Sequence, residues 1–193
     1  MQTCSIVLKK EIISRIKPII TSWKNVPDIY AISLFVYDNN DNPCEPTFTL
    51  GYNTDSNYNN SIPNASGPLE ARWNYAFWLQ NSEFIFGEGE TSESVKNWII
   101  ALNLPYFTYD EFFGNKMFDK MNESKFEKIT CEFVSVLISV VKEFHETEFI
   151  KNTFSKHIPI IIHELEYYDE IAEQNIEANG QSLAQGLIDF IYE

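Results

Sequence analysis

An α+β fold is what this sequence predicts, with an antiparallel or mixed central sheet, an N-terminal helix, a long helix near residues 122–147 and two C-terminal helices. Three observations lead there. Apolar residues recur at helical spacing over 8–23 and 126–144, but over 29–36 they fill both alternating sets of positions apart from Ser33. Turn-forming residues separate short β-branched and aromatic runs in the first half of the chain. Near the C-terminus, Asn179-Gly180 divides two further helical stretches. A length of 193 residues favours one domain spanning 1–193, and 15 Phe, 10 Tyr and 4 Trp in a 44% hydrophobic chain supply its core.

Taken in order, Leu8, Ile12, Ile16, Ile19 and Trp23 predict an amphipathic helix that Pro18 should end or kink. Residues 28–37 read as a strand. Its two alternating sets (Ile29, Ala31, Phe35 and Tyr30, Ile32, Leu34, Val36) are both apolar, so it should be central and covered on both faces. The run from Asp38 to Pro43 is a turn by composition, and residues 47–52 return as the antiparallel partner. Residues 53–67, rich in Asn, Ser and Tyr, read as a long irregular loop. The aromatic segment Arg72–Trp78 is open between helix and strand, and Phe84–Phe86 is a short strand. Thr91 or Ser92 is expected to cap a helix with Val95, Trp98, Ile99 and Leu102 on one face. From near Asn122 the long helix carries Phe126, Ile129, Phe133, Val136, Leu137, Val140 and Phe144 on one side. Residues 158–163 form a buried strand with Pro159 near its start, and two helices follow.

Charge narrows the functional classes. The chain has 28 acidic and 14 basic residues, a formal net charge of −14. From residue 157 onward stand Glu164, Glu166, Asp169, Glu170, Glu173, Glu177, Asp189 and Glu193, with no Lys or Arg. Between Lys24 and Lys96, Arg72 is the one basic residue. Such a surface repels phosphates and argues against nucleic acid, whereas a basic protein would be drawn to it. Solubility alone is the plainer reading of the same charge. Cys4, Cys44 and Cys131 are odd in number and share no short spacing, which predicts three reduced thiols in a cytoplasmic protein. Lys9, Lys10 and Glu11 interrupt the first apolar residues, so no signal-peptide core is expected, and no apolar run suits a membrane span.

No motif completes a catalytic or metal site. Asp38, Asn40 and Asn42 alternate like calcium ligands, but Pro43 and Thr49 stand where glycine and glutamate are needed. His163-Glu164 and His145-Glu146 open like zinc-protease helices, yet Tyr167 and Phe149 occupy the second histidine's place. Gly87-Glu88-Gly89 lacks the further glycine and the basic residue of a phosphate loop. No catalytic residue, metal or cofactor is therefore expected. The cluster Trp73, Tyr75, Phe77 and Trp78 reads as core packing or as a binding patch, and Arg72 beside it should be held by a carboxylate.

The segment Arg72-Trp73-Asn74-Tyr75-Ala76-Phe77-Trp78 resembles the R-W-x-x-A-x-W signature of a family of small bacterial proteins of unknown function. Asn53-Thr54 and the run from His163 to Tyr168 look like its other landmarks, while Phe77 departs from an expected acidic residue. The resemblance covers nearly the whole chain and carries no catalytic residues. Its members are similar to immunity proteins that neutralise toxins, which implies stoichiometric binding of a basic protein toxin. The candidate partner-binding residues are Arg72, Trp78, Glu166, Asp169, Glu170 and Glu173. The alternatives are a hydrolase-like enzyme using carboxylates or histidine near the C-terminal strand, and a generic adaptor. The oligomeric state stays open.

Overall fold

The structure, a computed structural model, describes residues 2–108, 111 and 120–193. Helix α1 (Gln2–Ser22) continues through Pro18 instead of ending there. Its buried stripe, Leu8, Ile12, Ile16, Ile20 and Trp23, extends to both sides of the proline. Burying each such side chain is worth about 1.5–3 kcal/mol, which together outweighs the roughly 3 kcal/mol a mid-helix proline costs. Ile20 takes the core place expected of Ile19.

Strand β1 (Ile29–Asp38) pairs antiparallel with β2 (Pro46–Thr54), which pairs antiparallel with β3 (Phe84–Phe86). On its other side β1 runs parallel to β4 (Ile160–His163), giving a mixed sheet of order β3-β2-β1-β4. Register sorts the two faces. Leu34 lies opposite Leu50 and level with Ile162, and these join Ile32, Val36 and Phe48 in the main core. Helix α1 and the long helix α5 (Lys120–Glu146) cover that face, α5 contributing Ile129, Phe133, Leu137 and Phe144. The opposite face carries Ala31, Ser33, Phe35, Ile161 and His163. As its two apolar alternating sets predict, β1 is central and covered on both faces.

Residues 53–67 are not an irregular loop. Helix α2 (Asp55–Ser61) starts where the Thr54 hydroxyl accepts the Asn57 N–H at 3.1 Å, and a 3-10 turn follows over Ile62–Asn64. The segment Arg72–Trp78 ends helix α3 (Pro68–Trp73) and enters a second 3-10 turn, Tyr75–Phe77. Helix α4 (Ser92–Ala101) buries Val95, Trp98 and Ile99 as expected. Thr91 precedes it without capping it, because its hydroxyl accepts the Gly87 N–H and donates to the Glu88 carbonyl. Helix α6 (Phe149–Phe154) leads to β4, and α7 (Asp169–Asn179) and α8 (Gln181–Ile191) close the chain about Gly180, φ 78°.

Strand β4 is an edge, and α7 seals it. Asn175 and Asn179, one turn apart, present their amides to the outer side of β4. Asn175 Oδ1 accepts the Ile162 N–H at 2.9 Å while its Nδ2 donates to the Ile162 carbonyl at 2.7 Å. Asn179 repeats this on Ile160, at 2.8 and 2.9 Å. Two side chains thus act as the missing neighbouring strand and leave no free edge there for another chain to pair with. Helix α8 in turn packs close to α3 because Gly186 has no side chain: a Cβ there would lie 2.6 Å from the Trp73 indole.

Candidate functional site

The second sheet face builds a smaller core of Tyr30, Ala31, Trp73, Trp78, Ile161 and Leu187. A register shift between Ile29 and Ala31 accompanies the turn of Tyr30 into it. The Tyr30 hydroxyl donates to the Arg72 carbonyl and accepts from Asn53 Nδ2 at 2.9 Å. Trp78 Nε1 donates to the same carbonyl at 2.8 Å. Asn53 Oδ1 then takes Asn57 Nδ2 at 3.0 Å and the Leu79 N–H at 3.3 Å. Every member of this network holds another in place.

Arg72 sits over that network. Its guanidinium lies 3.9 Å from the Tyr30 ring centre and 4.9 Å from that of Tyr58, and pairs with Asp55 at 3.0 Å. The carboxylate expected beside it is therefore present, on α2, at a half-exposed position. Trp78, expected among the partner-binding residues, is instead 7% exposed and packed in the second core. It supports the surface from beneath and presents no anchor to it.

A polar pair lies under the same aromatic cover. The Ser33 hydroxyl and His163 Nε2 are 2.8 Å apart, and His163 Nδ1 is 3.1 Å from the Glu164 carbonyl. A carbonyl only accepts, so Nδ1 carries the proton and Nε2 receives the Ser33 hydroxyl. Burial pushes the His163 pKa down to about 4, so the ring is neutral at pH 7. The arrangement has the form of a nucleophile and base oriented by a third group. Yet Ser33 is 2% and His163 1% exposed, and Phe35, Tyr75, Trp78 and Tyr167 surround the imidazole. As it stands the pair is a satisfied core contact, with no room for a substrate.

Beyond β4 the character changes. Glu164, Leu165, Glu166 and Tyr168 lead into α7, whose first turn carries exposed Asp169 and Glu170, with exposed Glu173 in the next turn. The helix N-terminus favours Asp169 and Glu170 electrostatically. Leu165 is 74%, Tyr168 40% and Tyr192 58% exposed. Tyr192 is within electrostatic reach of Asp169, Glu170 and Glu173, and Tyr168 donates to Glu164 at 2.9 Å. Among the described residues, no ion pair involves Glu164, Glu166, Asp169, Glu170 or Glu173. A groove of about 360 Å³, lined by Phe35, Tyr37, Glu164, Leu165, Glu166 and Tyr168 among others, opens at the carboxyl ends of parallel β1 and β4. Burial, then the charges of Glu164 and Asp41, push the nearby Asp38 carboxyl up to about 6.

Two of the six candidate residues are thus placed apart from the rest: Arg72 and Trp78 belong to the second core, while Glu166, Asp169, Glu170 and Glu173 share the acidic end. Leu165, Tyr168 and Tyr192 were missed, although Leu165 between two glutamates is an exposed-apolar signal in the sequence itself. A hollow of about 560 Å³ between α1 and α5 is lined by Ser5, Ile6, Lys9, Glu132, Ser135, Val136 and Ser139, and its lysine is paired with Glu143 at 2.8 Å. Among the described residues no cluster of three His, Cys, Asp or Glu could hold a metal, and no helix is long and apolar enough to cross a membrane. Among the described residues Cys4, Cys44 and Cys131 form no disulfide; Cys44 is buried and Cys131 exposed. The fold and this surface define an α+β protein with an acidic, aromatic-bearing end. No family model matches the chain, and no curated protein or solved structure matches it at a significant level.

Proposed function

We propose that this chain is a non-catalytic binding protein of the bacterial immunity type, engaging a basic protein toxin through the acidic end formed by Glu166, Asp169, Glu170 and Glu173. The observation that carries the reading is the exposure of Leu165, Tyr168 and Tyr192 among carboxylates that no described cation neutralises. Exposed apolar and aromatic side chains ringed by charge suit a protein interface, with the charge speeding encounter and the desolvated side chains slowing release. The resemblance of Arg72–Trp78 to the bacterial signature supports the same class. A hydrolase is the second reading, drawn from the 2.8 Å Ser33–His163 contact, and the burial of both residues weighs against it.

The test is binding to the product of a toxin reading frame beside this gene, with co-expression as the protection assay. Association should be fast at low salt and slow as the Debye length falls from about 30 Å at 0.01 M to about 8 Å at 0.15 M. Neutralising Glu166, Asp169, Glu170 and Glu173 together should slow association several-fold and leave the melting temperature nearly unchanged. Salt-independent association, or turnover of a small substrate, would overturn the reading.

A further inference from the structure

Resting on that reading, the geometry points to a specific anchor: we infer that the groove beside Tyr168 receives an arginine side chain of the basic partner. Its walls are apolar and aromatic. On one side Phe35 and Tyr37 stack with ring centres 5.6 Å apart and planes inclined by 26°. On the other stand the exposed Leu165 and Tyr168. Two carboxylates, Glu164 and Glu166, belong to the lining, and the Tyr37 hydroxyl is turned away to donate to Glu88 at 3.0 Å. Among the described residues neither groove carboxylate, Glu164 nor Glu166, is in an ion pair. The groove therefore lacks one thing, a cation with a flat apolar face.

Arginine meets that description better than lysine. Its planar guanidinium stacks on aromatic faces and forks onto two carboxylate oxygens, whereas an ammonium is a compact, strongly hydrated point charge. The protein already uses this chemistry once. Arg72 lies over the rings of Tyr30 and Tyr58 and pairs with Asp55, so ring faces plus one carboxylate hold a guanidinium within this same fold. The groove repeats the ring faces and offers a second carboxylate, with no cation seated on them among the described residues. Tyr168 is half-fixed in advance by its 2.9 Å hydrogen bond to Glu164, which keeps ring and carboxylate on one side of the opening.

The experiment compares capped hexa-arginine and hexa-lysine peptides by calorimetric titration of the full chain at ~0.15 M salt, where long-range attraction is screened. Wild type should bind the arginine peptide about tenfold more tightly, the scale of a desolvated stacking contact. Tyr168→Ala and Leu165→Ala should each bring the two peptides toward equal affinity. Leu165 is 74% exposed, so its truncation leaves the fold intact and keeps the test valid should Tyr168→Ala prove unstable. Neutralising Asp169, Glu170 and Glu173 should weaken both peptides while preserving their ratio. Equal affinity of the wild type for both peptides overturns the groove, as does an arginine preference that survives both truncations. In either case a loss of binding in the Asp169, Glu170 and Glu173 variant leaves the acidic-surface reading standing. If neither peptide binds, the groove reading fails, and the acidic surface is judged by its own salt dependence with the toxin.

Discussion

Removing the Asn175 amide should test how the fold closes its sheet. Asn175 is fully buried, and its Oδ1 takes the N–H of Ile162 at 2.9 Å. In Asn175→Ala that N–H, on an equally buried residue, loses its partner. The Ile162 carbonyl keeps Gln174 Nε2 at 2.9 Å, so one orphaned group results and not two. An unsatisfied buried group costs about 1–3 kcal/mol, and the space left by the amide adds to it, so a loss of about 2–4 kcal/mol is expected. Asn175→Asp separates hydrogen bonding from volume. Its second oxygen would face the carbonyls of Ile162 and Ile171, where Nδ2 now donates at 2.7 and 2.8 Å. Ionised, it is repelled there; protonated, it can donate as the amide does. The folded pKa of this aspartate is then raised above its unfolded value, so its stability is present at low pH and lost as pH rises. Urea unfolding relative to wild type at pH 7 and pH 4 reads this out. The aspartate should be worse than alanine at pH 7 and recover toward wild type at pH 4. An alanine variant within about 0.5 kcal/mol of wild type at pH 7 would refute the clamp, since surface changes alone stay within that range.

Asp38 and His163 should give opposite pH slopes. Burial and neighbouring carboxylates raise Asp38 from 3.8 to about 6, so its contribution is full below about pH 4 and lost as pH rises through about 6. Burial lowers His163 from 6.5 to about 4, so its contribution is full above about pH 6.5 and lost as pH falls toward 4. Asp38→Asn should therefore stabilise the protein at pH 7 by about 2–3 kcal/mol, with the gain gone by pH 4; an unchanged gap between the two pH values would contradict this. Trp73→Ala should cost about 3–5 kcal/mol in denaturant unfolding. Gly186→Ala should also destabilise, because its Cβ meets that indole at 2.6 Å, and a neutral Gly186→Ala would show that α3 and α8 adjust freely.

Much of the fold was legible because its strongest signals are periodic. The stripes of α1, α4 and α5 and the doubly apolar β1 each report one packing environment, and packing decided them. Three readings failed where a tertiary contact overrode a local preference. Pro18 is carried by the buried residues before and after it in α1. The Asn- and Ser-rich stretch after β2 forms α2, capped by Thr54, and Asn57 and Ser61 tie it to the Phe77 carbonyl at 2.9 Å each in addition to their bonds within the stretch. Thr91 gives its hydroxyl to Gly87 instead of to its helix. Of these contacts the one with Phe77 is distant in sequence, whereas those of Pro18 and Thr91 lie within a few residues.

The candidate site divides along the same line. Charge is a property of composition, so the acidic end could be read from the absence of Lys and Arg after residue 156. Which aromatics face outward could not, because Trp78 and Tyr168 are equally plausible anchors until the sheet places one inside and the other out. The deciding element is β4. Its parallel pairing with β1 brings Phe35 level with His163, and so sets the buried imidazole beneath Tyr75 and Trp78. The chain then leaves the sheet at Glu164, and from that residue until α7 begins no strand partner constrains it. The asparagine clamp on Ile160 and Ile162 fixes where this exit occurs. The residues that seal the sheet edge therefore also fix the exit after which Leu165 and Tyr168 stand exposed, which couples the acidic surface to the buried asparagine clamp.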